Sequence, residues 1–193
     1  LIYVLPSLIE LRRVSADGGA STVVLHDSAI AGRGIGMPVA LPRSRGVLFQ
    51  VCSSGCVTMS LHVLDLRSGR EKRLLDDVAQ AWYLPSGHLL YVRRDGVALM
   101  APFDLGRLEV SGAATPVLEG VMVNNGFAQL VWSASGTMVY VRGAGASSEN
   151  TVVRVSREGV AMPYDSSWYG QFSSMALSPD GRQVAVGTGG TGG

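Results

Sequence analysis

Residues 173–186 read Ser-Ser-Met-Ala-Leu-Ser-Pro-Asp-Gly-Arg-Gln-Val-Ala-Val, a tight turn with a strand-like run on either side. The turn is Ser178-Pro179-Asp180-Gly181. Pro179 presets φ, Asp180 can accept hydrogen bonds from nearby backbone N–H groups, and Gly181 supplies a conformation closed to most residues. Weaker copies stand upstream. Leu84-Pro85-Ser86-Gly87 precedes His88–Val92, Ser133-Ala134-Ser135-Gly136 precedes Thr137–Val141, and Leu41–Gly46 precedes Val47–Val51. The closing glycines, Gly46, Gly87, Gly136 and Gly181, follow one another at 41, 49 and 45 residues.

A turn-and-strand unit recurring at this interval marks a repeat architecture and, among all-β repeats, the blades of a β-propeller. Helical periodicity is scarce. Short β-branched or aromatic runs bounded by Gly, Pro, Asp or Ser recur instead. Placing the repeated turn between the first and second strands of each blade phases the chain. The expected fold is all-β, a propeller of four-stranded antiparallel blades with three whole blades and two partial ones in an open arc. The propeller segment covers 1–187. Its blades span about 1–25 (partial), 36–75, 79–118, 127–164 and 173–187 (partial), and 188–193 form a flexible Gly-rich tail. The Asp17-Gly18 pair marks a hairpin turn in the first partial blade. The absence of a starting Met and the closing Gly-Thr-Gly-Gly-Thr-Gly-Gly suggest a segment of something longer, or a gene fragment.

The 193 residues carry 16 basic and 15 acidic side chains, a net charge of +1. That balance favours neither nucleic acid nor an anionic membrane surface. No run of about 18 apolar residues is present, so no membrane span is expected. Apolar Leu1–Leu11 is short, holds Pro6 and Glu10, and lacks the basic start of a signal peptide.

Around the repeat, Ser174–Val186 closely resembles the TolB-type repeat. Leu61–Leu75, Ala81–Val121 and Gly136–Gly143 extend that resemblance. Together they look like the six-bladed TolB-like (WD40-like, PD40) propeller found C-terminal to many bacterial serine/threonine protein kinases. It is most specific at Asp65-Leu66-Arg67-Ser68-Gly69, at Tyr83–Val92 and at Pro102-Phe103-Asp104. Related propellers precede the catalytic domain of prolyl-oligopeptidase-like peptidases and serve the TolB envelope protein. Two departures stand out. The blades are too few for the family's ring. The Gly-rich loop, His-Arg-Asp and Asp-Phe-Gly elements of a kinase are missing.

Candidate sites divide into structural and functional readings. Pro85, Gly87, Ser135, Gly136, Ser178, Pro179, Asp180 and Gly181 are read as blade-turn positions, a structural corner. Cys52 and Cys56 flank a short turn and can reach the separation a disulfide needs; the plainer alternative is two half-buried thiols. The kinase-propeller resemblance implies an extracytoplasmic location, periplasmic or cell-surface, and with it the bridge. Two sulfurs alone fall short of a zinc site. His26, His62 and His88 sit one per blade and read as ordinary strand or turn residues. Gly32–Gly36 mimics a phosphate loop but opens a strand where a helix is needed. Asp76 and Asp77 point to opposite faces of a strand and read as a strand end. Trp82, Tyr83, Trp132 and Tyr140 read as packing between blades. Tyr164, Trp168 and Tyr169 fall in a connecting loop and are the candidates for an exposed recognition patch.

The expected role is a non-catalytic interaction or sensing module, the extracytoplasmic region of a bacterial serine/threonine protein kinase. The inter-blade loops Ala29–Met37, Val121–Gly126 and Tyr164–Ser173 would carry binding, since loops vary while blades hold still. The alternatives are the non-catalytic propeller of a prolyl-oligopeptidase-like serine peptidase, or a nonfunctional fragment. No catalytic residue, metal or cofactor is expected, and the partner is a protein or small ligand.

Overall fold

A computed structural model of the chain describes residues 1–4, 10–26, 34–53, 58–124, 126–133, 136–143, 150–156, 159–170 and 172–188. Its strands run in chain order. β1 (Ile2–Val4), β2 (Glu10–Arg13) and β3 (Thr22–His26) form the first sheet. β4 (Gly34–Ala40), β5 (Gly46–Ser53), β6 (Thr58–Asp65) and β7 (Glu71–Asp76) form the second. The third holds β8 (Val78–Leu84), β9 (His88–Arg93), β10 (Ala98–Asp104) and β11 (Glu109–Val110). β12 (Thr115–Leu118) follows, then the short hairpin of β13 (Val123–Asn124) and β14 (Phe127–Ala128). The next four-strand path runs through β15 (Leu130–Trp132), β16 (Met138–Arg142), β17 (Asn150–Val155) and β18 (Ala161–Pro163), with β19 (Tyr169–Gly170) also on β17. β20 (Phe172–Leu177) and β21 (Val184–Thr188) close the order as a two-stranded sheet. Consecutive strands in each of these sheets pair antiparallel. The architecture is all-β. Among the described residues the sheets comprise three four-strand paths, one three-stranded sheet and one two-stranded sheet, besides the small β13–β14 hairpin.

The chain divides into two compact units, residues 1–93 with 99–115 and residues 94–98 with 116–193. In the first unit β5 is buried at seven of its eight positions. Alternate side chains leave opposite faces of a strand, so both faces of β5 are covered. Val47, Phe49 and Val51 meet Leu11, Ile35 and Leu64 in one core cluster. On the other face Gln50 is 3% exposed, and its carboxamide reaches the carbonyls of Val78 and Ala79 on β8. A buried amide in this position must find acceptors or lose its hydration uncompensated. Here it stitches two neighbouring sheets.

The second unit has its own core: Met122, Val139, Val141, Val152 and Phe172, with Tyr164, Trp168, Leu177 and Val184 packed against it half-buried. Tyr140, one of the aromatics read as packing residues, is 1% exposed. In the first unit Tyr83 meets Phe103 edge-to-face at 6.1 Å.

Two features differ from the sequence reading. The turn at Leu41–Gly46 is not another copy of the Ser-Pro-Asp-Gly corner. It contains a single 3-10 turn, Pro42–Ser44, and the positive φ angles fall on Arg43 and Ser44. Gly46 is needed for close approach instead, because a Cβ there would lie 2.6 Å from the Leu64 carbonyl oxygen. The segment Val121–Gly126, read as a binding loop, begins with Val121 and Met122 at 1% and 4% exposure and enters the β13–β14 hairpin. Its first residues are anchored by Val121 N–H to Gly96 O and Met122 N–H to Val141 O.

Candidate functional site: an aromatic cleft beside a hydrogen-bonded corner

The corner between β20 and β21 is built from its own side chains. The Ser178 hydroxyl donates to Asp180 Oδ1 at 2.6 Å, and the Arg182 N–H donates to the same oxygen at 3.1 Å. Gln183 N–H donates to Ser178 Oγ at 2.9 Å, and Gly181 N–H to the Ser178 carbonyl at 2.8 Å. Gly181 has φ = 71°, the left-handed region that a side chain disfavours. The Ser178 hydroxyl, followed by the Arg182 amide, holds the Asp180 carboxyl below its ordinary pKa.

The same chemistry recurs at the other well-formed corners. Asp65 Oδ1 accepts from Arg67 N–H at 2.8 Å, and Asp104 Oδ1 accepts from Gly106 and Arg107 N–H at 2.8 and 3.0 Å. At Leu84–Gly87 the Gly87 N–H reaches the Leu84 carbonyl at 3.0 Å, and Pro85 is part of this turn. Gly136 N–H reaches the Ser133 carbonyl at 2.9 Å; Ser135 lies outside the described residues.

The recognition segment follows β18. Tyr164 N–H donates to Val152 O at 2.8 Å, which seats the segment on β17. Asp165 then makes a tight turn, accepting from the Ser167 hydroxyl at 2.6 Å and the Ser167 N–H at 2.8 Å. These two donors, the hydroxyl first, lower the Asp165 carboxyl pKa. The turn folds Trp168 back onto Tyr164, and their rings stack with centroids 5.7 Å apart at 30°. Tyr169 continues into β19, opposite Thr151 on β17, and is 66% exposed.

Tyr164 and Trp168 line a cleft of about 670 Å³ with Leu177, Ser178, Arg182 and Gln183. Two of the three recognition aromatics thus meet the Ser178 corner, and the third, Tyr169, stands apart from the cleft. No spacing in the sequence links Trp168 to Arg182. Stacked aromatic faces, an apolar wall and an arginine beside backbone-anchored polar groups suit an apolar or planar group that also carries a hydrogen-bond acceptor.

The remaining candidates are dispersed. Cys52 is nearly buried at the end of β5 and is not a free thiol; Cys56 lies outside the described residues. His26 contacts Glu10 at 3.1 Å, and His88 Nδ1 contacts the Ser86 hydroxyl at 3.2 Å. His62 does more than the sequence reading gave it. Its Nε2 meets Ser60 Oγ at 2.8 Å and its Nδ1 meets Glu71 Oε1. Ser60 and His62 lie two apart on β6, so they share a face, but nothing in the spacing points to Glu71. Ser60 and His62 are 9% and 7% exposed, and the row ties β6 to β7. Residues 27–33 of the glycine-rich loop lie outside the described residues; Gly34–Gly36 begin β4. Asp76 ends β7, and Asp77 follows with N–H to Met59 O at 2.9 Å. No helix of the described residues is long and apolar enough to cross a membrane.

Comparison with solved structures identifies the fold. TolB from Acinetobacter baumannii superposes with a TM-score of 0.64 over 100% of this chain and 47% of its own, at 14% identity. Regucalcin, a calcium-binding protein from Agrobacterium tumefaciens, gives 0.65 over 96% of this chain and 65% of its own, at 16% identity. A puromycin hydrolase gives 0.62 over 92% of this chain and 32% of its own, at 18% identity. The chain therefore spans less than two thirds of the length of each. At such identities the likeness is one of fold: the chain has the fold of part of a β-propeller, as in TolB. The sequence matches no family model and no curated protein.

Proposed function

We propose that this partial propeller is a non-catalytic interaction or sensing module, and that the aromatic cleft between Tyr164, Trp168 and the Ser178 corner is where it takes its ligand. The observation that carries this reading is the Tyr164–Trp168 stack, held by the Asp165 turn and open to a cleft that Arg182 and Gln183 also line. Fixed blades that present a cleft from turns and loops are the usual way a repeat scaffold binds. The parent protein we favour is a bacterial serine/threonine protein kinase with this module on its extracytoplasmic side. The resemblance at Asp65–Gly69 and Tyr83–Val92 supports that parent.

A second reading rests on the puromycin hydrolase superposition: the propeller part of a peptidase-like hydrolase. Both readings make this chain non-catalytic and differ in its parent.

A phage-displayed peptide library panned against residues 1–193 tests the cleft. Enriched clones should lose binding to Trp168→Ala and to Arg182→Ala, while Tyr169→Ala, outside the cleft, retains it. Arg182 is exposed, so its variant keeps the test valid if Trp168→Ala disturbs packing. Clones that bind both cleft variants as well as the wild type, or no enrichment at all, would overturn the assignment. Turnover of a nitrophenyl ester by the purified chain would overturn its non-catalytic character.

A further inference from the structure

A second cleft lies within the first unit. Its volume is about 380 Å³, and it is lined by Val63, Arg70, Glu71, Lys72, Arg107 and Leu108, with Asp65 and Ser68 at its edge. The β6–β7 hairpin supplies one wall and the turn between β10 and β11 the other. Side-chain-to-backbone hydrogen bonds brace the β10–β11 turn from Lys72 of the β6–β7 hairpin and from Arg45, which precedes β5. Arg45 Nη2 donates to Gly106 O at 2.7 Å, and Lys72 Nζ donates to Arg107 O at 3.0 Å. Leu108 is 2% exposed and has φ = 56°, a left-handed conformation rarely taken by leucine. Its burial and the two bonds beside it hold that turn in place, so the cleft is formed before any ligand arrives.

The charges in the cleft are unequally committed. Asp65 is engaged by the Arg67 amide at 2.8 Å and the Arg45 guanidinium at 2.6 Å. Glu71 is engaged by His62. The cations are less committed, Lys72 holding the Arg107 carbonyl with one of its three N–H groups. The Arg70 guanidinium has no side-chain partner among the described residues. Lys72 and Glu109 are 3.5 Å apart and both exposed. Arg107 is 77% exposed and reaches Asp104 and Glu109 only at 4.0 Å. Exposed pairs at such distances contribute between nothing and about 1 kcal/mol, so a ligand can displace them. Two guanidinium groups and an ammonium over a floor of Val63 and Leu108 match an anion with an apolar body, because guanidinium groups bind phosphate and carboxylate through paired N–H donors.

We propose that this cleft, between the β6–β7 hairpin and the β10–β11 turn, binds the oxyanion of a phosphorylated or carboxylated small molecule through Arg70, Lys72 and Arg107. The site shares no residue with the aromatic cleft, so either can fail without the other.

Titration calorimetry of residues 1–193 at low ionic strength, with pyrophosphate and with citrate as probes, tests it. At least one probe should bind saturably at one site per chain, with Kd below roughly 1 mM. Arg70→Ala and Arg107→Ala should each weaken binding by about tenfold or more, and physiological salt should weaken it further. Both side chains are exposed, so these variants should melt as the wild type does. Arg13→Ala, an exposed arginine on β2, is the control and should bind normally. Tighter binding of pyrophosphate assigns the phosphate class, and tighter binding of citrate the carboxylate class. No saturable heat with either probe would overturn the proposal. So would undiminished binding by the two cleft variants, or equal weakening by Arg13→Ala, which would mean diffuse attraction to a basic surface.

Discussion

Strands β5 and β21 each follow the first strand of their sheet, and their surroundings differ sharply. β5 pairs with β4 on one side and β6 on the other, with Phe49 opposite His62. It is buried on both faces. Among the described residues β21 pairs with β20 alone, Ala176 opposite Ala185. Its residues alternate between half-buried Val184 and Val186 and exposed Ala185, with none fully buried. Both runs are β-branched and apolar, so intrinsic preference does not separate them. The number of neighbouring strands and sheets does. Strand propensity is a statement about fitting a packed surface, and the same kind of residue acquires its energetic weight only where such a surface exists.

The largest expected effect breaks this comparison most directly. Phe49→Ala should destabilise the chain by about 3–5 kcal/mol, since it opens a cavity in a closed core. Val186→Ala, at a half-buried site, should cost about 1 kcal/mol or less. Urea denaturation of the two variants measures both. Equal losses would mean that β21 is as fully covered as β5.

The corners offer a sharper control, because they should not depend on burial. Gly69 and Gly181 have φ of 70° and 71° in two of the Asp-centred turns, one in each unit. Gly69→Ala and Gly181→Ala should each cost about 1–2 kcal/mol, the penalty for an L side chain in the left-handed region. Thermal melts should show nearly equal losses. A loss confined to Gly69→Ala would mean that the corners draw stability from the core behind them.

The smallest effect concerns pH. The Arg67 amide, then the Arg45 guanidinium and the Ser68 hydroxyl, together outweigh desolvation and hold the Asp65 carboxyl at about 2, below its ordinary 3.8. The folded state therefore favours the ionised form. The stability this contributes is complete above about pH 4 and is lost as pH falls toward 2. Asp165 and Asp180 are shifted in the same direction. A series of melts from pH 5 to pH 2 should fall less steeply for Asp65→Asn than for the wild type. Identical slopes would show that Asp65 titrates no differently in the folded and unfolded chain.

Much of the fold was legible because its signals are short-range. Ser178, Asp180 and Gly181 bond to groups within five residues of themselves, so their roles follow from their order along the chain. The Asp104 corner obeys the same rule, and the Asp65 corner adds one distant partner, the Arg45 guanidinium. Gly46 shows where such reading fails. It closes a turn like the other glycines, yet it is required by the Leu64 carbonyl on a different strand. The aromatic patch was legible in part. Tyr164 and Trp168 could be singled out as loop aromatics, but the cleft they share with Arg182 could not. The Ser60–His62–Glu71 row and the cation cleft left no trace in spacing, because Ser60 and His62 lie on β6, Glu71 and Lys72 on β7, and Arg107 on the β10–β11 turn.

By itself the sequence determined the all-β class, the antiparallel repeat and the chemistry of its corners, since hydrogen bonds across two to five residues and alternation along a strand need no knowledge of the rest of the chain. The tertiary structure alone decided which strands are buried on both faces, why Gly46 must lack a side chain, and which distant side chains line each cleft. Those outcomes depend on contacts between residues far apart in sequence, and only the packing of sheets within each unit sets them.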